Sequence, residues 1–199
     1  MSFDGSSQFV TIPDNTLFQL AQSMTLEAYV DIASAPSGTD RYIIFRGDDR
    51  IGYDPYSLGV SNGNIDFNIT NASNVKTTVS TAVPVYNQWI FVAGTLDNAT
   101  GDMDLYVNNV LDASTVTTNR PYGALQAGQN PGLGIGNTED ANYYEYFDGL
   151  IDEVRISNVA LTPSQFLDAP EPASLGLFVA AGISLLFRRP RRYEKSTGN

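Results

Sequence analysis

The sequence has no cysteine and no histidine in 199 residues, and a single tryptophan. Without cysteine there are no disulfides, so stability must come from a packed core, and the lack leaves the compartment open. Missing both residue types removes Ser-His and Cys-His nucleophiles, His–zinc sites and thiolate clusters, which is most of the common catalytic repertoire. Positive charge is scarce too, with 11 Lys/Arg against 22 Asp/Glu for a net of −11. Five of those eleven fall in residues 188–199, so residues 1–169 carry 20 acidic and 6 basic side chains, a balance of −14. A surface that acidic repels phosphate backbones and excludes nucleic acid as a partner. It suits an extracellular protein and hard cations such as Ca²⁺, whose ligands are oxygens. Long helical periodicity is absent from the body, and so is an export signal at the N-terminus, where Met1 opens directly onto Phe3-Asp-Gly. The expectation for an exported protein is therefore a start upstream of Met1.

What the chain does have is strand and turn chemistry. Hydrophobic residues make up 42% and aromatics 11%, enough for one packed domain. Met24 to Ile32 alternates, placing Leu26, Ala28, Val30 and Ile32 on one face. Tyr42-Ile-Ile-Phe45 is a short apolar run, and Asn62-Gly63 between Ser57–Val60 and Asn64–Ile69 is a strong hairpin signal. Trp89 to Thr95 is apolar at both parities and reads as a strand covered on both faces, with Trp89 in the core and Leu26, Val30, Leu105 and Val107 facing it. Met103–Val107, Gly132–Gly136 and Leu150–Ile156 follow. Ten or so short strands predict an all-β, two-sheet antiparallel sandwich. Thr162-Pro163 opens the one helical candidate of the body.

Composition changes after Asp168. Residues 169–172 form an extended Pro-rich linker, then Ala173 to Phe187 runs fifteen residues without a charge and meets Arg188, Arg189, Arg191 and Arg192. Fifteen helical residues span about 22 Å, short of a roughly 30 Å bilayer core, yet the adjoining arginines favour a stop-transfer segment over a buried helix. Three segments are thus expected: a domain at 1–168, a linker at 169–172, and a short transmembrane helix with its basic end at 173–199.

Both parts resemble known families. Ser2-Phe-Asp-Gly5, Phe9-Val-Thr-Ile-Pro13, Met24–Val30, Gln88–Thr95, Gly101–Asn108 and Tyr146–Ile156 resemble, in order, the laminin-G-like, concanavalin A-like jelly rolls of bacterial surface proteins. The resemblance covers residues 2–167 and implies a glycan- or protein-binding module. The tail is similar to a PEP-CTERM sorting signal, with Pro170-Glu171-Pro172, the apolar run and the Arg cluster in order. That implies export from a Gram-negative bacterium, transient inner-membrane anchoring through 173–187, and cleavage near Pro172 by an exosortase.

Candidate sites follow from both readings. Carbohydrate recognition needs aromatic platforms beside polar side chains. The stretches 48–56 and 139–144 supply them, with Asp49, Tyr53, Tyr56, Tyr143 and Tyr144 as the candidate ligand-binding residues. Tyr146 and Phe147 read as core by motif position. The resemblance implies one structural Ca²⁺ where the first and last strands meet, held by Asp4 and Asp152; the competing reading gives Asp4 a turn to cap and Asp152 a pairing with Arg155. Alternation would put Asp152 on the face of Val154 and Ile156, so the last strand needs a bulge or a buried role for it. Glycosidases of this fold carry Glu-x-Asp-x-(x)-Glu, which is missing, so the expected function is non-catalytic binding of an extracellular polysaccharide or surface protein. A glycoside hydrolase and a purely structural matrix protein are the alternatives. Arg46-Gly47-Asp48 matches an integrin-type tripeptide by coincidence.

Overall fold

A computed structural model describes residues 1–140 and 143–167 of the chain. The linker and tail, including Pro170, Glu171, Pro172 and the arginines of 188–192, lie outside the described residues, and with them the expected transmembrane helix. Among the described residues no helix is long and apolar enough to cross a membrane.

Among the described residues twelve strands make two six-stranded antiparallel sheets. In chain order they are β1 (Ser2–Asp4), β2 (Val10–Pro13), β3 (Met24–Ile32), β4 (Asp40–Gly47), β5 (Tyr56–Ser61) and β6 (Asn64–Thr70). The remainder are β7 (Lys76–Ala82), β8 (Trp89–Leu96), β9 (Asp102–Val107), β10 (Val110–Val116), β11 (Gly132–Ile135) and β12 (Asp148–Ser157). One sheet runs β1-β12-β3-β8-β9-β10 and the other β2-β11-β4-β5-β6-β7. First and last strands pair side by side in the first sheet, Phe3 opposite Gly149. Single-turn 3₁₀ helices at Thr16–Phe18 and Pro163–Gln165 are the only helical turns among the described residues.

The alternation of β3 is realised as expected: Leu26, Ala28, Val30 and Ile32 are all fully buried between the sheets. Ile44, Leu58, Phe67, Ile90, Val92 and Leu105 join them in one continuous core, each such side chain contributing about 1.5–3 kcal/mol by leaving water. Asn62 and Gly63 both take positive φ, 51° and 80°, as the two-residue turn between β5 and β6 demands. Of the bulge and the buried role left open for Asp152, the bulge is what forms, with the register slipping between Asp152 and Arg155 at Glu153, φ 51°. It lets Asp152 and Arg155 face outward, opposite Tyr29 and Glu27, while Val154 packs on the core.

Trp89 is where the expected packing fails. The outer face of β3 and β8 is covered by the chain after β12, which crosses it and lays Phe166 on Phe91 and Ala93. Thr25 fastens that crossing, its hydroxyl donating to the Val159 carbonyl and accepting from the Leu161 amide. This cover explains the double apolarity of β8. It does not reach the strand's first residue, so Trp89 is 40% exposed and only stacks on Tyr29.

Candidate functional site

The site begins with glycines. In β11 the outward positions are Gly132 and Gly134, because Leu133 and Ile135 point to the core. A Cβ on Gly134 would overlap the carbonyl oxygens of Asn137 and Thr138, and one on Gly132 would press on the Glu139 side chain. The bare backbone therefore lets the chain after Gly136 fold back across the outside of its own sheet. Asn137, fully buried, pins that return: its amide nitrogen donates to the carbonyls of Asp140 and Tyr143, 3.1 Å each, and its oxygen accepts from the Glu145 amide.

A second loop, after β4, meets the first. Asp48 is buried and its carboxylate is gripped by Arg50, Nε to Oδ1 at 2.8 Å and Nη2 to Oδ2 at 2.6 Å. The Gln126 amide donates to the same carboxylate. Burial pushes Asp48 up, but the hydrogen bonds from Arg50 and Gln126 outweigh it and hold the carboxyl below its usual range. The Arg50 guanidinium in turn lies 4.3 Å over the Tyr53 ring. The two loops touch where the Tyr143 hydroxyl reaches the Asp49 carbonyl at 3.5 Å.

Between these loops and the sheet lies a cavity of about 300 Å³. Its floor is the outward side of β4, where Tyr42 opposite Gly59 and Phe45 opposite Ser57 pack their rings 4.6 Å apart. Tyr143 forms part of the wall, and Lys76 at the start of β7 lies on the rim. Across β5, β6 and β7 the floor continues as a polar ladder, Asn68 donating to the Ser57 hydroxyl and accepting from Thr78.

The cavity is acidic. Asp40, Asp48, Asp54, Glu139 and Glu145 line it with Arg50 and Lys76, a sum of −3 if all were ionised. Burial raises Glu139 to about 7 against a hydrogen bond from its own backbone amide, with repulsion from Asp54, Asp49 and Asp140 adding to the rise. Burial, then Asp40 and Asp54, raises Glu145 to about 7 against the pull of Lys76. Burial likewise lifts Asp54 to about 6.

The two stretches singled out in the sequence thus meet in one place, where Tyr143 lines the cavity, while Asp49 offers only its backbone carbonyl to Tyr143 and Tyr53 lies under Arg50, outside the lining. Tyr56 is not part of it. It alternates with outward Ser57, so it is fully buried, its hydroxyl donating to the Phe18 carbonyl at 2.9 Å, and no ligand can reach it. Tyr144 is 82% exposed. Asp54 and Glu139 lie within the same two stretches as the tyrosines, whereas Asp40, Tyr42, Lys76 and Glu145 arrive by sheet register and loop return.

Asp4 and Asp152 are not brought together. Asp4 pairs with Asp148, four residues before Asp152, or about 13 Å along the strand. The Asp4 carboxylate is occupied by the amides of Ser6, Ser7 and Gln8 and the Ser7 hydroxyl, which hold it well below its usual range. It caps a turn. Asp152 is exposed, its carboxylate accepting from the Glu153 amide, while Arg155 pairs with Glu27 instead. No group of three or more acidic side chains among the described residues is placed to hold a metal ion. Arg46 is fully buried against Asp14 at 2.9 Å, so the Arg-Gly-Asp tripeptide is not displayed.

A family model described as the concanavalin A-like lectin/glucanases superfamily matches residues 4–166. No curated protein matches the sequence. Among solved structures, a carbohydrate-binding module (CBM40) of a Ruminococcus gnavus sialidase, bound to α2,3-sialyllactose, superposes with a TM-score of 0.65. It is 15% identical, over 83% of this chain and 91% of that one. Domain 4 of a Geobacillus stearothermophilus extracellular arabinanase, in complex with arabinotriose, gives 0.60 at 22% identity over 84% and 74%. Domains LG4-5 of the mouse laminin α1 chain give 0.58 at 11% over 86% and 46%. At such identities the likeness is one of fold.

Proposed function

This chain belongs to the concanavalin A-like lectin/glucanases superfamily, and on that premise we propose that it is a non-catalytic module that binds polysaccharide in the cavity over β4. The observation that carries this reading is the convergence of residues 48–54 with 138–140 and 143–145 around one cavity over Tyr42 and Phe45. That arrangement gives a concave site with fixed polar groups around a small apolar floor, of which Tyr42 shows 8% and Phe45 4% of its surface. Sugar-bound relatives of the same fold support it without choosing the sugar.

The Glu-x-Asp-x-(x)-Glu string of glycosidases on this fold is missing, and Asp48, the carboxylate held below its usual range, is closed off by Arg50, which supports the non-catalytic reading. Calorimetric titration of the full chain with a panel of polysaccharides tests the reading. Binding that Tyr143→Ala weakens, with no release of reducing ends, supports it; release of reducing ends overturns it.

Export and sorting form part of the same proposal, supported by Pro170-Glu171-Pro172, the apolar run to Phe187 and the arginines after it. In a host with an exosortase and a restored signal, mature protein should lose its tail near Pro172. An intact mass that retains residues 173–199 outside the cell overturns this part.

A further inference from the structure

One side of the sandwich is bordered by two strand edges. β10 ends the first sheet and β7 ends the second, so among the described residues neither has a strand on its outer side. Every residue of β10 is exposed or half-exposed, with 65% of Val110, 51% of Leu111 and 72% of Val116 in water. The stretch from Val110 to Val116 holds no Lys, Arg or Pro and a single charge, Asp112. An edge of that kind offers unpaired N–H and C=O groups to a strand that can lie beside it. β10 of a second copy matches it well. In an antiparallel pair centred on Ala113, Val110 faces the partner's Val116 and Leu111 the partner's Thr115, so apolar ends meet.

Asp112 stands in the way of that pairing. The register between β9 and β10 slips between Leu111 and Ala113, which leaves Asp112 as the extra residue of a bulge. Its carboxylate reaches across to the other sheet, where it accepts from the Thr81 hydroxyl of β7. Farther along the same side Thr77 and Thr117 share a hydrogen bond of 3.3 Å, and the Asn119 amide nitrogen donates to Thr77 at 2.7 Å. The two edges are thus tied to each other by side chains at both ends. In the self-paired ladder the two Asp112 carboxylates would lie diagonally across the pair, about 7–8 Å apart. That is inside the screening length of about 10 Å at 0.1 M salt, so like charges repel there. We infer that Asp112 is a gatekeeper: its charge keeps the β10 edge from pairing with β10 of a second copy, and this edge is the chain's latent surface for self-association. The inference is independent of what the cavity binds.

The test is hydrogen exchange at the β10 amides of the full chain, followed over about a hundredfold range of protein concentration. In the parent those amides should exchange at a rate that does not depend on concentration. Asp112→Asn keeps the shape of the exposed side chain and loses its charge. Its β10 amides should exchange about tenfold slower at the top of the range than at the bottom, as edge-paired dimers form. Asp112→Ala should do the same. Asp112→Lys should behave like the parent, since two like charges of either sign repel, although a lysine cannot accept from Thr81. Protection that grows with concentration in the parent overturns the inference, and so does its absence from both Asp112→Asn and Asp112→Ala. Asp112→Lys protected like Asp112→Asn would take the gating away from charge and overturn it too. Every chain compared carries the same tail, so the differences at β10 report the edge alone.

Discussion

Trp89 stacks on Tyr29 with ring centroids 5.4 Å apart and planes 16° from parallel, on the part of the outer face that Phe166 leaves uncovered. The stack is worth about 0.5–1.5 kcal/mol beyond area burial. Trp89→Ala should therefore cost about 1–2 kcal/mol in denaturant unfolding, below the 3–5 kcal/mol of a buried tryptophan. As the sole tryptophan, its emission should be red-shifted and readily quenched by acrylamide. A blue-shifted, protected emission would restore it to the core.

Glu27 and Arg155 pair under the Phe166 crossing, Glu27 fully buried and Arg155 with about a third of its side chain in water. Removing one partner of such a pair strands the other, a loss of several kcal/mol when both are buried. For Arg155→Ala the partial exposure lowers the expectation to about 2 kcal/mol. The double variant Glu27→Leu/Arg155→Leu should recover most of it. A double variant as unstable as the sum of the singles would show that the pair is not coupled.

Stability should rise as pH falls from 8 towards 5. Glu139 and Glu145 titrate near 7 in the folded chain against 4.5 when unfolded, so the folded state binds more protons in between. Their contribution is complete below 4.5 and is lost as pH rises through 7. Asp54, raised from 3.8 to about 6, has the same sign. Asp48, held low, has the opposite sign and matters only below 3.8. Melting temperatures across this range, flattened by Glu139→Gln with Glu145→Gln, are the check; a melting temperature climbing with pH contradicts the cavity's charge state.

Gly134→Ala should open the cavity. The added methyl group meets the carbonyls of Asn137 and Thr138, and rigid backbone cannot step aside as a flexible side chain would. We expect a loss of about 1–3 kcal/mol, typical of overpacking, together with loss of glycan binding. Unchanged binding would place the ligand elsewhere.

A calcium site built on Asp4 and Asp152 should not be found. Since the two do not converge, Asp152→Asn should leave the difference between melting curves in EDTA and in millimolar Ca²⁺ unchanged. A metal bound only by the folded state would raise stability by about 2.7 kcal/mol at a hundredfold excess over its Kd, a shift of several degrees.

The sequence by itself determined the sandwich. Period-two alternation in β3, the Asn62-Gly63 turn and the apolar run of β8 are local signals, and each is realised because a strand's faces are set by parity alone. That Asp152 needed either a bulge or a buried role was legible, since alternation would place it on the core face, but which of the two was not. The loops of the site were legible as compositions, not as a place. Tertiary structure decided what no local pattern holds: which face a second layer covers and which loop returns over which strand. Phe166 lies 75 residues from Phe91 in sequence, so nothing in β8 says that its cover ends before Trp89. Tyr56 reads as a loop tyrosine until its pairing with Arg46 and Ile69 turns it inward. Glu139 becomes a buried acid only when Gly132 and Gly134 let its loop lie on the sheet, because burial and charge are properties of neighbours and not of residues.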